Sequence, residues 1–230
     1  MDRNSGRQFI EQLIKNISIF KNLSTAHISR VIDSFSFIKV REGDLIFNQS
    51  DKSTDFYIVV KGHVRAVLHN EEGHELILAI FGAGDFFGEM SLLDGNPRSA
   101  AVVASEDSAL AVLKRADFLD LIKKDPMIAV DMLSALVQRL RMTDDMLGSI
   151  AFLDVSHRIL RLLQQIAKSG CEKDKKTGFY KVEKLKQKEL AARTGASREG
   201  VAKAMRILAF KGVLLEDEGF FLLSPDIENI

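Results

Sequence analysis

The chain has 230 residues, 46% hydrophobic and 28% charged, and its 32 basic and 32 acidic side chains cancel to a formal net charge of zero. That is a globular balance, long enough for two modest cores and too apolar for a disordered majority. No run of 18 apolar residues occurs, and Met1-Asp2-Arg3-Asn4-Ser5 leads into a polar helical stretch with no signal-peptide core, so a soluble cytoplasmic protein without membrane association is expected. Cys171 is the single cysteine, which excludes an internal disulfide and any multi-cysteine metal or iron–sulfur site.

In chain order, residues 6–36 carry apolar positions at helical spacing and predict two or three short helices. From Phe37 to Leu113 the period changes to alternation, with runs at 45–47, 56–60, 64–68, 75–80, 101–103 and 109–113. Turn signals at Gly43, Gly62, Gly73 and Gly82-Ala83-Gly84 separate these runs. Many short antiparallel strands at such spacing predict a β-roll or jelly roll. Within this region lies Gly84-Asp85-Phe86-Phe87-Gly88-Glu89-Met90-Ser91-Leu92-Leu93-Asp94-Gly95-Asn96-Pro97-Arg98-Ser99-Ala100. Arg98 offers a forked donor for a phosphate oxyanion, and the loop and a short helix offer backbone N–H groups. Glu89, nine residues earlier, is an acceptor-only carboxylate that suits a sugar hydroxyl and repels a bare phosphate. The pair describes a nucleotide with a phosphate on one side and a free ribose hydroxyl on the other.

This segment resembles the phosphate-binding cassette of the cyclic-nucleotide-binding domain, in which an F-G-E run is followed by P-R-[SA]-A. The resemblance implies that Glu89 binds the ribose 2′-OH and Arg98 the cyclic phosphate, with Gly88, Met90 and Ser99 lining the same site.

Pro126 begins a long helix expected to reach Phe152, with Leu133, Leu136, Leu140, Thr143, Leu147 and Ile150 in steps of 3 and 4 residues. Such a seam predicts a parallel two-helix coiled coil and hence a homodimer. A helix carrying Ile159, Leu162-Leu163 and Ile166 follows, then a charged loop over 169–178 and a short strand at Tyr180-Lys181-Val182. Between Lys181 and Gly212 nine basic residues stand against three acidic ones, and because the whole chain is neutral the remainder carries the balancing six negative charges. This basic segment marks a nucleic-acid-binding end. Residues 186–208 fit two helices joined by a tight turn. Gly195 takes the left-handed turn position, Ser197 caps the second helix, and Leu190, Val201, Met205 and Leu208 face inward. Residues 212–223 then read as a β-hairpin wing. With the second helix in the major groove, Arg198 can fork onto guanine, Glu199 can accept from cytosine N4, and Lys203 can reach a guanine or a phosphate.

These positions look like the S-R-E-x-V-x-R/K recognition helix of the CRP/FNR family. Arg139-Leu140-x-x-Thr143 and Ala151-Phe152-Leu153-Asp154-Val155-x-x-Arg158-Ile159 resemble its dimer helix and hinge. The resemblance implies an α+β architecture. Its parts are a cyclic-nucleotide-binding β-roll over 1–125, a dimerisation helix and hinge over 126–153, and a winged helix-turn-helix over 154–230. It also implies an effector contact from Arg139, an adenine contact from Thr143 and a contact from position 144 in the other subunit's site, and DNA contacts from Lys188, Ser197, Arg198, Glu199 and Lys203. The implied partners are a pseudo-palindromic double-stranded operator with TGTGA-like half-sites and RNA polymerase. The implied effector is cAMP. Asp144 departs from the family's serine, because a carboxylate accepts equally from adenine's amino group and from guanine N1–H and N2–H₂, which keeps cGMP and a cyclic dinucleotide open.

Three other readings remain: a CRP/FNR-type regulator that is constitutive or senses another ligand, a cyclic-nucleotide-binding protein-interaction module, and an enzyme. His27, His63, His69, His74 and His157 lack metal-ligand spacing, and Ser91 lacks a G-x-S-x-G context, so no metal and no catalytic residue is expected.

Overall fold

The computed structural model describes residues 17, 19, 20, 32–168, 170–175 and 177–225. Most of the helical stretch expected over 6–36 lies outside the described residues. The described chain divides into two compact units. One takes residues up to Leu68 with Ile77–Met142, and the other takes His69–Leu76 with the residues from Thr143 onward.

The first unit is built on two four-stranded antiparallel sheets. One has the order β1 (Ser36–Val40), β8 (Ser108–Leu113), β3 (Phe56–Lys61), β6 (Phe86–Phe87). The other has the order β2 (Leu45–Phe47), β7 (Ala101–Ala104), β4 (Val64–His69), β5 (Glu75–Phe81). Strand β3 is almost wholly buried because the two-residue period serves two cores. Tyr57 and Val59 join Phe47, Val64, Phe81, Phe87, Val102, Leu110 and Val112. Phe56 and Ile58 point to the opposite face, where Ala111 and Leu113 of β8 meet α2 (Arg115–Lys124) through Phe118 and α3 (Met127–Phe152) through Ile128 and Met132. Between β6 and β7 lies α1 (Glu89–Asp94), whose Leu92 is buried in that second core.

The structure corrects the expected seam of α3. Leu136, expected in the seam, packs against the helix-facing core, whereas Val137, not among the expected seam positions, is half exposed. The helix α2 and the strands β1 and β6 had not been expected as separate elements.

In the second unit, α4 (Val155–Lys168) buries Ile159, Leu160, Leu163 and Ala167 against α5 (Gln187–Thr194) and α6 (Arg198–Phe210), with Leu190, Val201, Met205 and Leu208 facing inward as expected. The hairpin β10 (Leu214–Asp217) and β11 (Phe220–Leu223) gains a third strand, β9 (Tyr180–Glu183), in register from Phe220 opposite Glu183 to Leu223 opposite Tyr180.

Candidate effector site and nucleic-acid interface

The loop that joins β6 to α1 closes around a buried guanidinium. Gly88 takes φ +82°, and a Cβ there would lie 2.7 Å from Arg98 Nη1 and 2.9 Å from the Asp55 carbonyl oxygen, so the position has room only for glycine. Arg98 is 3% exposed. Its Nε–H donates to Ser53 Oγ at 3.0 Å, Nη1 to the Gly88 carbonyl at 2.9 Å and Nη2 to the Asp55 carbonyl at 2.7 Å. The guanidinium carbon lies 4.1 Å from the Phe47 ring centroid and 5.7 Å from that of Tyr57. Burial pulls the guanidinium below its ordinary range, opposed by the acidic groups Tyr57, Asp55, Glu89 and Asp51, and burial likewise pushes the Tyr57 hydroxyl up.

Of the five N–H donors of an arginine, three are engaged here, which leaves two for an external oxyanion. Such an anion meets a cation already stripped of most of its water, where charge-assisted hydrogen bonds are strongest. Ser53, the Asp55 carbonyl and the Gly88 carbonyl, which aim Arg98, were not singled out from sequence. Two of them are backbone oxygens, and no side-chain pattern marks them.

Glu89, the first residue of α1, is 6% exposed, and its Oε1 lies 3.0 Å from Arg139 Nη1. Arg139 reaches in from α3, donates Nη2 to the Phe86 carbonyl, and lies over the rings of Phe86 at 4.2 Å and Phe81 at 5.0 Å. The structure therefore brings together Gly88, Glu89, Arg98 and Arg139. One carboxylate can accept about four hydrogen bonds, so the ion pair leaves acceptor sites on Glu89 for a hydroxyl. Ser99 turns its hydroxyl to Met90, donating to Sδ at 3.3 Å. Thr143 and Asp144 stand exposed on α3.

The second candidate surface is the α5–turn–α6 unit. Gly195 (φ +60°) closes α5 and turns the chain, and Ser197 caps α6 by accepting the Gly200 N–H at 3.0 Å. The Ser197 hydroxyl accepts in the cap and keeps its own O–H donor, so the cap and the expected DNA contact are compatible. Lys188, Arg198, Glu199 and Lys203 are exposed. Glu199, Lys203 and Arg206 follow one another at four- and three-residue steps and share a face of α6, while Arg198 belongs to its first turn. Arg206 and the outward-standing Phe210 were not singled out from sequence. From α4, Arg158 donates Nη1 to the carbonyls of Thr194 at 2.7 Å and Gly195 at 3.3 Å, which ties that helix to the turn.

Among the described residues no group of three or more His, Cys, Asp or Glu side chains is placed to hold a metal ion, and no helix is long and apolar enough to cross a membrane.

Residues 37–125 match the cyclic nucleotide-binding domain. The chain is 33% identical over 201 residues to the cyclic AMP receptor protein of Thermus thermophilus, covering 87% of this chain and 89% of that protein. It is 34% identical over 164 residues to the cAMP-activated global transcriptional regulator CRP of Salmonella typhimurium, covering 71% of this chain and 77% of that one. In fold it is similar to the c-di-GMP responsive global regulator CLP of Xanthomonas campestris, with a TM-score of 0.76 at 24% identity, covering 87% of this chain and 99% of that one. A β-roll that buries a Glu and an Arg in a nucleotide cassette, a helix-turn-helix with a capped second helix, and this likeness over most of the chain lead to one assignment: the protein belongs to the CRP/FNR family of transcriptional regulators.

Proposed function

We propose that this regulator is a homodimer that binds a cyclic nucleotide, cAMP in the first instance, in its β-roll and reads a pseudo-palindromic operator with α6. The observation that carries the effector half is the burial of Glu89 and Arg98 in one loop, each oriented by protein partners that leave hydrogen-bonding capacity for a ligand. Regulators of this family are not enzymes, and the site is read as one that binds and releases.

The phosphate takes the two remaining Arg98 donors and the ribose hydroxyl takes Glu89. Gly88, Met90 and Ser99 line the loop, Arg139 stands at the ribose side through Glu89, and the base contacts fall to Thr143 and Asp144. Because Arg139 holds Glu89 from α3, a ribose hydroxyl that draws on that carboxylate alters a contact of the long helix. The turn after Phe152 then sets the separation of the two recognition helices, which DNA requires to be about 34 Å. A population shift between two such separations switches operator affinity, and operator DNA tightens the effector by the same factor. On the DNA side, Lys188, Arg198, Glu199 and Lys203 supply phosphate and base-edge contacts, and contact with RNA polymerase belongs to the same reading.

Calorimetric titration with cAMP, cGMP and a cyclic dinucleotide tests the effector half, with Arg98→Ala as control. Micromolar or tighter binding of one nucleotide, weakened about 100-fold or more in the variant, is the expected result. Absence of binding by all three overturns the effector assignment and leaves the family and the DNA-reading surface standing.

A further inference from the structure

The core beneath the cassette holds four aromatic rings, and three of them, Phe47, Phe81 and Phe87, belong to phenylalanines. The fourth is Tyr57, 8% exposed, whose ring stacks on Phe87 at 5.0 Å and lies 5.6 Å from Phe47. A phenylalanine would fill that place as well, so packing does not account for the hydroxyl, and a buried hydroxyl ordinarily has a hydrogen-bond partner. Strand β3 sets Tyr57 opposite Phe87 of β6, beside the Gly88 turn, and the Arg98 guanidinium carbon lies 5.7 Å from its ring centroid. Burial raises the hydroxyl above its ordinary value against the opposing charge of Arg98, so the group is a neutral O–H donor at physiological pH. Among the described residues no atom accepts its hydrogen.

We propose that Tyr57 is a further effector-binding residue, its hydroxyl donating to the phosphate oxyanion that Arg98 holds. The inference rests on the effector reading and adds a residue to it. An oxyanion drawn to the two remaining Arg98 donors arrives beside the hydroxyl and supplies the acceptor that the chain itself does not. The surroundings also favour a neutral donor at this place. Asp55, Glu89 and Asp51 already act on the Arg98 cation, so a second cation here would pair with a carboxylate, whereas a phenol keeps its hydrogen for the anion.

Tyr57→Phe removes the oxygen and keeps the ring, and calorimetric titration with cAMP, cGMP and a cyclic dinucleotide compares it with the wild type. The nucleotide that the wild type binds should bind the variant about tenfold or more weakly, the loss of one hydrogen bond to a charged group, while the urea midpoint of the nucleotide-free protein does not fall. A spectroscopic arm leaves position 57 intact and decides alone if Tyr57→Phe does not fold. The chain has two tyrosines and no tryptophan, and Tyr180 lies in β9 of the other unit. In Tyr180→Phe the tyrosine absorption beyond the nucleotide's own band therefore reports Tyr57, and saturation with nucleotide should shift it to the red, as for a phenol that has begun to donate. Unchanged affinity in Tyr57→Phe, or an unmoved band in Tyr180→Phe at saturation, overturns the contact and leaves the effector reading standing. Failure of the wild type to bind any of the three nucleotides overturns the effector reading itself and the contact with it.

Discussion

Replacing Gly88 by alanine tests how the cassette is built, and replacing Gly95 by alanine supplies the control. Both glycines have positive φ, +82° and +73°, so each substitution forces a Cβ into the left-handed region at about 1–2 kcal/mol. At Gly95 that is the whole cost, because nothing lies within 4 Å of the added carbon. At Gly88 the added carbon meets Arg98 Nη1 at 2.7 Å and the Asp55 carbonyl oxygen at 2.9 Å, contacts too short to survive. The guanidinium must then move off both the Gly88 and Asp55 carbonyls, and loss of a charge-assisted hydrogen bond costs about 1.5–3 kcal/mol. Gly88→Ala should therefore destabilise the effector unit by about 3–5 kcal/mol and Gly95→Ala by about 1–2 kcal/mol. Urea denaturation with calorimetry measures both, and the gap between them should amount to roughly 5–10 °C in the melting temperature of that unit. If the two variants lose equal stability, the close approach of Arg98 to the loop is wrong.

Three further outcomes follow from the same structure. Phe118, fully buried between α2 and the sheet, should cost about 3–5 kcal/mol as Phe118→Ala, measured by the same denaturation; a loss under about 1 kcal/mol would place α2 off the sheet. Ser197→Ala should lose the α6 cap, worth about 1 kcal/mol, and reduce the helix's hydrogen-exchange protection, while nucleotide binding stays at the wild-type value. Asp154 accepts the His157 backbone N–H at 2.9 Å, and this bond, with the His157 side chain adding to it, holds the carboxyl below the usual carboxylate range. Since the folded value is depressed, its contribution is present above the unfolded value of about 3.9 and is lost as pH falls through the folded value. Asp154→Ala should thus be less stable than wild type at pH 7, and the difference should narrow towards pH 2; a constant difference at every pH would contradict the assignment.

The cassette was legible in the sequence because its chemistry is local. Glu89 and Arg98 lie nine residues apart, and the glycine and proline that shape the loop lie between or beside them. The recognition turn was legible for the same reason, with Gly195, Ser197 and the inward apolar positions all inside about twenty residues. What escaped notice depends on distant partners. Arg98 is aimed by Ser53 and Asp55, more than 40 residues away, and one of those two contacts is a backbone oxygen that any residue supplies. On α3, Leu136 and Val137 are neighbours of similar apolarity, and periodicity alone could not say which one the sheet would claim. Ile128, Met132 and Leu136 share one face at four-residue steps, and the core cluster that takes in Ile128 and Met132 takes Leu136 with them, leaving Val137 beside Leu133 and Leu140. The two-residue strand β6 has no periodicity to detect, and it exists because Tyr57 and Ile58 of β3 pair with it.

Arg158 sets a tolerance. By donating to the carbonyls of Thr194 and Gly195 from the first turn of α4, it leaves little slack between that helix and the start of α6. An α-helix of 13 residues is about 20 Å long, so a tilt of about 10° at one end carries the other through about 3.5 Å, close to the rise of one base pair. On the proposed reading of DNA by α6, the accuracy of placement along a duplex is therefore set by how firmly one guanidinium holds two backbone oxygens, some distance from the proposed base contacts.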